Sequence, residues 1–489
     1  MNIRRILVTT VLVVGLVAAI LGGRQKSVAQ RPYFAAVPSM SRPYHSLNRS
    51  ITTTWYCAGV PTADSSVGGQ IVVSNPGDSA IKGHLSLFGP DGVLPVLQDL
   101  TVPARNSLSV DVAPLMVAEF VSAMVELDSS VGIVEQRAVH PAGSAVSTCT
   151  AATSSSWYFA DGFTVDGSTD QIVLTNPYAD IVIVDVRFYK RDAKPLDPQA
   201  FQDYPIAPHS VKVISLADIG GKDEATLAVQ IIASRGRLIA ARAQHYFGGG
   251  RLGFSMALGA PSVSGQLYFA EGETGAGITE SYVMFNPTKD DVLLQPTVLG
   301  VPLTNSLVQP DPISVPQNSV LTFDSKAIQG LPEGHHTLVF STEAQSAVVI
   351  ERVITKIVAG KPSTSVVQGM TPEYVVPRWY VPIGVDAATA EALVVYNVDF
   401  VDSTVAVKAI GPGGEVAVPG LEAVPLPKSG VITISLTDPS VFGRTLVVES
   451  AQRLFVERLL PTGSTDDRRS GSWAVPECGP CNLLSLASS

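Results

Sequence analysis

Apolar and polar residues alternate in short runs along most of this chain, and the runs stop at Gly, Pro, Asn or Asp. Between the first and second thirds they occupy residues 157–160, 171–175, 182–189, 211–216, 226–233 and 238–243. These runs are rich in Val, Ile, Thr, Tyr and Phe, which suit a pleated, half-buried surface, and the residues that bound them favour turns. Beyond the N-terminus no window of about 12 residues holds a clean helical period with caps. Six to eight such runs per ~100 residues predict an antiparallel sandwich that buries alternate residues between two sheets.

The pattern recurs. WYCAG starts at Trp55, WYFADG at Trp157, LYFAEG at Leu267 and WYVPIG at Trp379. An Asn follows 20, 19, 19 and 18 residues later, at Asn75, Asn176, Asn286 and Asn397, with Pro after the first three. Next comes a Pro and a Ser ahead of an alternating run: VPARNSLSVDV, APHSVKVISL, VPQNSVLTFD and LPKSGVITISL. Last comes an arginine closing an apolar run, at Arg137, Arg242, Arg352 and Arg458, which lie 82, 85, 85 and 79 residues past their starts. The starts are 102, 110 and 112 residues apart, so each repeat is a domain and not a solenoid turn.

The expected fold is therefore all-β: a tandem array of four antiparallel, Ig-like β-sandwich domains behind an N-terminal signal or anchor helix. The boundaries read as 1–31 for the signal peptide or signal-anchor and 32–54 for a linker. The repeats follow at 55–152, 153–262, 263–374 and 375–489, the last with a C-terminal tail. Laid end to end, four domains with a radius of gyration near ~13 Å each would reach roughly 100 Å.

Each landmark has a structural expectation. In a strand Trp157 and Phe159 face one way and Tyr158 the other, so the first pair should fill a core. An exposed platform of Tyr56, Tyr158, Tyr268 and Tyr380 would instead suit sugar rings. Asn-Pro should end a strand, because Asn accepts a turn and Pro cannot continue a central ladder. An arginine closing an apolar run needs a carbonyl or an acid as partner, and Glu351 and Glu457 stand directly before two of them.

The N-terminus changes the compartment. Arg4 and Arg5 precede 18 uncharged residues, 6–23, and Arg24 and Lys26 follow. That length is near the minimum for a spanning helix, and Ser27-Val28-Ala29 offers a small-residue cleavage site. Retained or cleaved, the segment directs the rest of the chain outward, so an extracytoplasmic protein, membrane-anchored through residues 6–23 or secreted, is expected.

Composition then excludes classes. Hydrophobic residues make up 46% and charged residues 16%, which rules out a disordered chain. A net charge of −10 argues against a nucleic-acid partner. The seven histidines are scattered, with only His335 and His336 adjacent. No HExxH, calcium loop, nucleophile elbow or phosphate loop occurs, so neither a catalytic residue nor a metal or other cofactor is expected. The four cysteines allow three pairings. Cys57 in the first strand of repeat one and Cys149 in its last are expected to pair, as are Cys478 and Cys481 in the tail. A bond from Cys57 to the tail would require a closed ring.

The landmarks together resemble an uncharacterised family of secreted or membrane-anchored proteins, notably of actinobacteria, whose domains carry a WYFAEG-like start, an L-x-NP strand end, a V-P-x-x-S strand start and a late V-x-ER strand. The resemblance covers residues from about 55 to 475. It weakens at Cys57, at Pro382 and at Val398. It implies an extracytoplasmic, non-enzymatic role and no known ligand. The expected function is a structural or interaction protein of the cell envelope, such as a stalk, scaffold or adhesin. The alternative is a surface protein that binds cell-wall glycan. Its partner would be an envelope protein or that glycan.

Overall fold

A computed structural model describes residues 45–46 and 52–478, apart from 192–193, 302–309, 344–345, 383–390 and 462–468. The anchor segment 6–23 and the pair Cys478–Cys481 fall wholly or partly outside these residues. Among the described residues no helix is long and apolar enough to cross a membrane.

The protein is all-β, built of antiparallel sheets with short 3-10 turns between them. Unit one contributes two four-stranded sheets. One runs in the order Thr53–Val60, Val121–Leu127, Ile81–Phe88, Val96–Val102, and the other Asn106–Asp111, Gly68–Asn75, Ile133–His140, Gly143–Thr148. Units two and three repeat this order, starting at Ser156–Phe159 and Gln266–Thr274. Each pair of sheets shares one apolar core. In unit two Trp157, Phe159, Val184 and Ile231 from one sheet meet Ile172, Leu174 and Ala240 from the other.

Unit four departs from this plan. The single long strand Leu446–Pro461 pairs with Val376–Val381 and Ser403–Gly411 along its first part, and with Glu391–Asn397 and Arg469–Trp473 along its second. Its strands therefore join one ten-stranded sheet. The other units break the chain at this point; in unit one the break lies between Leu127 and Ile133. In unit four the sequence Glu-Ser-Ala-Gln-Arg at 449–453 has no Gly or Pro to interrupt the strand.

The extended array expected from the sequence is corrected, because the fourth unit packs against the first. The last strands of the units adjoin in a cycle: Gly143–Thr148 lies against Gly253–Leu258, which lies against Lys361–Gln368, then Arg469–Trp473, then Gly143–Thr148 again. Contacts between units one and four confirm closure. The Ser74 hydroxyl donates to the Pro382 carbonyl, Ser107 Oγ lies 3.3 Å from Thr445 Oγ1, and Arg105 Nη1 donates to the Pro412 carbonyl at 3.2 Å. Tyr380, Val447 and Val475 of unit four enter the core cluster of unit one. The two-residue strand His45–Ser46, from the segment read as a linker, pairs in parallel with Glu477 and Cys478 at the other end of the chain. Closure follows from burial: each unit leaves an apolar outer face, and four such faces cover one another without a free end.

Candidate functional site

The first strand of each unit shows why the aromatic landmark repeats. Trp55, Trp157 and Trp379 are buried, and two of the three indole N–H groups find carbonyls: Trp157 Nε1 donates to Leu238 O at 3.1 Å and Trp379 Nε1 to Leu454 O at 3.1 Å. The alternate tyrosine points to the next unit. Tyr158 meets Phe285, Tyr268 meets Phe455 at 4.6 Å, and Tyr380 joins the core of unit one. Tyr56 and Tyr380 are buried, while Tyr158 and Tyr268 are half-buried.

The four asparagines are fully buried clips. Each ends its strand. The Asn286 side-chain amide donates to Asp290, Val315 and Pro316 carbonyls at 2.9, 3.0 and 3.1 Å, and its oxygen accepts from Thr288 N at 2.9 Å. Asn75 and Asn176 repeat the set, and Asn397 makes it with Val401, Pro427 and Asp399. One side chain thus ties the strand end, the turn after it and a third segment of the other sheet.

The arginines join units. Arg242 Nη1 donates to Glu351 Oε2 of unit three at 3.0 Å, and that oxygen also accepts from the Ala160 and Asp161 amides at 3.0 and 2.6 Å. Arg352 holds Glu457 of unit four with two bonds, at 2.5 and 3.1 Å, and Glu271 of its own unit at 2.7 Å. Arg458 donates to Glu135 of unit one at 2.8 Å and to Glu391 of its own unit at 2.6 Å. All three guanidiniums are buried. Burial opposes their charge, but the facing carboxylates outweigh it and push each arginine up from its ordinary value.

Arg137 does not belong to this set, which corrects the sequence alignment by one residue. Counted from the landmark asparagines, the strand register places Gln136 opposite Ile71, where Arg242 stands opposite Ile172, Arg352 opposite Tyr282 and Arg458 opposite Leu393. A one-residue offset puts a side chain on the other face of the sheet. Arg137 is accordingly partly exposed, with Glu135 at 3.4 Å. Gln136 is buried and makes two bonds to the Gly59 backbone, accepting its N–H at 2.6 Å and donating to its carbonyl at 2.7 Å.

The same register aligns Glu135, Ala241, Glu351 and Glu457, opposite Val72, Val173, Val283 and Val394. An arginine of one unit pairs with the glutamate of the next at three junctions. At the junction of units one and two both partners are replaced together, by Gln136 and Ala241. That junction is held instead by Ser122 and Thr175 hydroxyls at 2.6 Å, by Gln171 and Glu119 at 2.6 Å, and by Val173, Ala241, Ala243, Phe254 and Met256 in the core of unit one. His140 and His245 also meet there, 4.3 Å between ring centres, and burial with the neighbouring His140 pushes His245 down to about 4.

A further set of acids was not singled out from the sequence. Six residues before each landmark asparagine stand Gly69, Asp170, Glu280 and Glu391. The three acids are buried. Glu280 lies 2.9 Å from His336 Nε2 and accepts from Tyr282 Oη at 2.6 Å. Burial pushes Asp170 up to about 8; Arg242 opposes the shift, and Asp161 and Glu351 add to it. Asp161 itself is held by Arg251 Nη1 at 2.9 and 3.0 Å. Unit one, with Gly59, Gly69 and Gln136 at these places, has no charge in its equivalent site.

Cys57 and Cys149 form a disulfide, as the sequence led us to expect. Among the described residues no group of three or more His, Cys, Asp or Glu is arranged to hold a metal. Two openings remain. A cavity of about 100 Å³ lies where the last strands meet, lined by Ser147, Met256, Gln368, Ser470 and Trp473. A groove of about 470 Å³ runs between units three and four, beside Tyr268, Tyr396 and Phe400.

No curated protein matches the chain. Residues 129–349 match the model of a family of unknown function, DUF5719. The match starts just before the strand Ile133–His140 and ends as the equivalent strand Val349–Val358 begins, so it spans two repeats in a shifted frame. Over that stretch the chain is similar to a family whose function is not known.

Proposed function

We propose that this protein is a non-enzymatic structural and interaction protein of the cell envelope, built of four Ig-like β-sandwich repeats and held outside the membrane by residues 6–23 or released by cleavage after them. It would be of the secreted or anchored kind that resembles the actinobacterial family. The observation that carries the reading is the use made of the recurring charged residues. Arg242, Arg352 and Arg458 spend their donors on Glu351, Glu457 and Glu135 across unit junctions, where they assemble a rigid ring. Catalytic acids and bases need access to a substrate, whereas these groups are buried between packed sheets. A rigid ring that leaves loops and grooves around its rim suits a scaffold that presents binding surfaces.

Fractionation of cells producing the full chain tests the reading, combined with external protease and with cross-linking in the intact envelope. The chain should be found with the envelope, be cleaved by protease added outside, and cross-link to an envelope protein or to cell-wall glycan. A chain recovered in the cytoplasm and protected from external protease would contradict it.

A further inference from the structure

We infer that the groove between units three and four binds a neutral glycan strand, stacking sugar rings on Tyr268 and Phe400. The envelope role bears on where such a strand is met; the groove itself is argued from its own residues. It forms because of a single difference in the turn after the landmark asparagine. In unit two the residue two places after Asn176 is Tyr178, whose hydroxyl bonds Thr153 at 2.8 Å beside Tyr56, and Tyr56 is buried. In unit four the residue two places after Asn397 is Asp399, which turns away to hold Arg453 at 2.5 and 2.9 Å. Nothing comparable to Tyr178 then covers Tyr268, and the space of about 470 Å³ stays open. That volume lies in the range of small-molecule sites.

The lining selects the ligand. Tyr268 is fixed by Phe455, 4.6 Å away, and by two backbone bonds to Met370, so its ring is a preset platform. Phe400 stands at the rim, 83% exposed, with Val401 beside it at 56%. An aromatic this exposed in a turn between two aspartates is costly unless something stacks on it. Between these rings the outer sheet offers polar side chains: Gln266 and Ser341, opposite each other in the ladder, and Thr297. Arg453 is already neutralised by Asp399. Burial pushes the Tyr268 and Tyr396 phenols up, so both stay neutral hydrogen-bonding groups. Flat apolar faces alternating with amides and hydroxyls, without net charge, complement pyranose rings bearing hydroxyl or acetamido groups.

Calorimetric titration of the full chain with chitohexaose, and with maltohexaose as a linkage control, tests the inference. Saturable binding of at least one of these sugars is expected. Phe400→Ala and Tyr268→Ala should each weaken it about tenfold or more, while Leu94→Ser, at an 84% exposed position in unit one, should not change it. Phe400 is exposed enough that its replacement leaves folding intact, so the test survives if Tyr268→Ala fails to fold. Absence of binding to both sugars would overturn the inference, as would binding indifferent to Phe400→Ala. A Phe400-dependent cross-link to an envelope protein without sugar binding would also overturn it and would leave the envelope role standing. Sugar binding lost in Phe400→Ala supports the groove even if fractionation places the chain in the cytoplasm, a result that removes only the envelope role.

Discussion

Arg458 of the fourth unit donates to Glu135 of the first at 2.8 Å, with both side chains fully buried. The residues are 323 positions apart in sequence, and their pairing repeats the Arg352–Glu457 and Arg242–Glu351 contacts at the junction that closes the ring.

Arg458→Ala should destabilise the protein by about 3–5 kcal/mol, because Glu135 and Glu391 are left buried without their cation. Arg458→Met combined with Glu135→Leu and Glu391→Leu should recover most of that loss, since a packed apolar set avoids desolvating charges. Urea unfolding measures both. A melting curve for Arg458→Ala that matched the parent would contradict a structural role for this residue.

The junction of units one and two allows a complementary test. Ala241→Glu alone should be destabilising, because it buries a carboxylate opposite a site that offers Gln136 and no cation. Adding Gln136→Arg should restore part of the stability, with a coupling of roughly 1–3 kcal/mol in a double-mutant cycle. Purely additive effects would mean that the register alignment of these two positions with Glu351 and Arg242 is wrong.

Asp170 gives a pH dependence. Burial raises its folded pKa to about 8, so between roughly 4 and 8 the folded state holds a proton that the unfolded chain releases. Its contribution to stability is fully present below that window and is lost as pH rises through it, by up to about 1.4 kcal/mol per pH unit. Asp170→Asn should flatten that part of the stability profile and be more stable than the parent above pH 8. Parallel profiles for the two proteins would show that Asp170 titrates normally.

The Cys57–Cys149 bond closes a loop of 92 residues, for which the chain-entropy account gives about 4–5 kcal/mol. Reduction, or Cys57→Ser with Cys149→Ser, should lower the melting temperature of the chain. Unit one lacks the buried charge pairs of its neighbours at one of its two junctions, so its unfolding should come first. Melting unchanged by dithiothreitol would show that the bond adds nothing to the folded ring.

Much of the fold was legible because it is written in local patterns. Alternation marked the strands of unit two, and Asn-Pro marked where they end, because an Asx turn and a missing N–H act within a few residues. Trp157 and Tyr158 could be sorted to opposite faces by period two alone. The closure was not legible, because no local signal says which unit Glu135 will meet. Arg137 was misplaced because the eye follows residue type, whereas the sheet follows register. Counting back from Asn75 would have put Gln136 in line with Arg242. The same count would have found Asp170, Glu280 and Glu391. The groove beside Tyr268 was invisible because it depends on what Asp399 fails to cover, a property of two units packed together.

Closure of the ring is the central claim, and an engineered cross-link measures it most directly. Ser107 and Thr445 face each other across the first and fourth units with their hydroxyl oxygens 3.3 Å apart. Ser107→Cys with Thr445→Cys should oxidise to a disulfide within one chain, seen by peptide mapping as a bond joining residues 107 and 445. The pair Ser74→Cys with Ser107→Cys, 3.0 Å apart inside unit one, serves as the control that should form in any arrangement of the units. If the control bond forms in monomeric protein and the 107–445 bond does not, units one and four do not meet, and the ring is wrong.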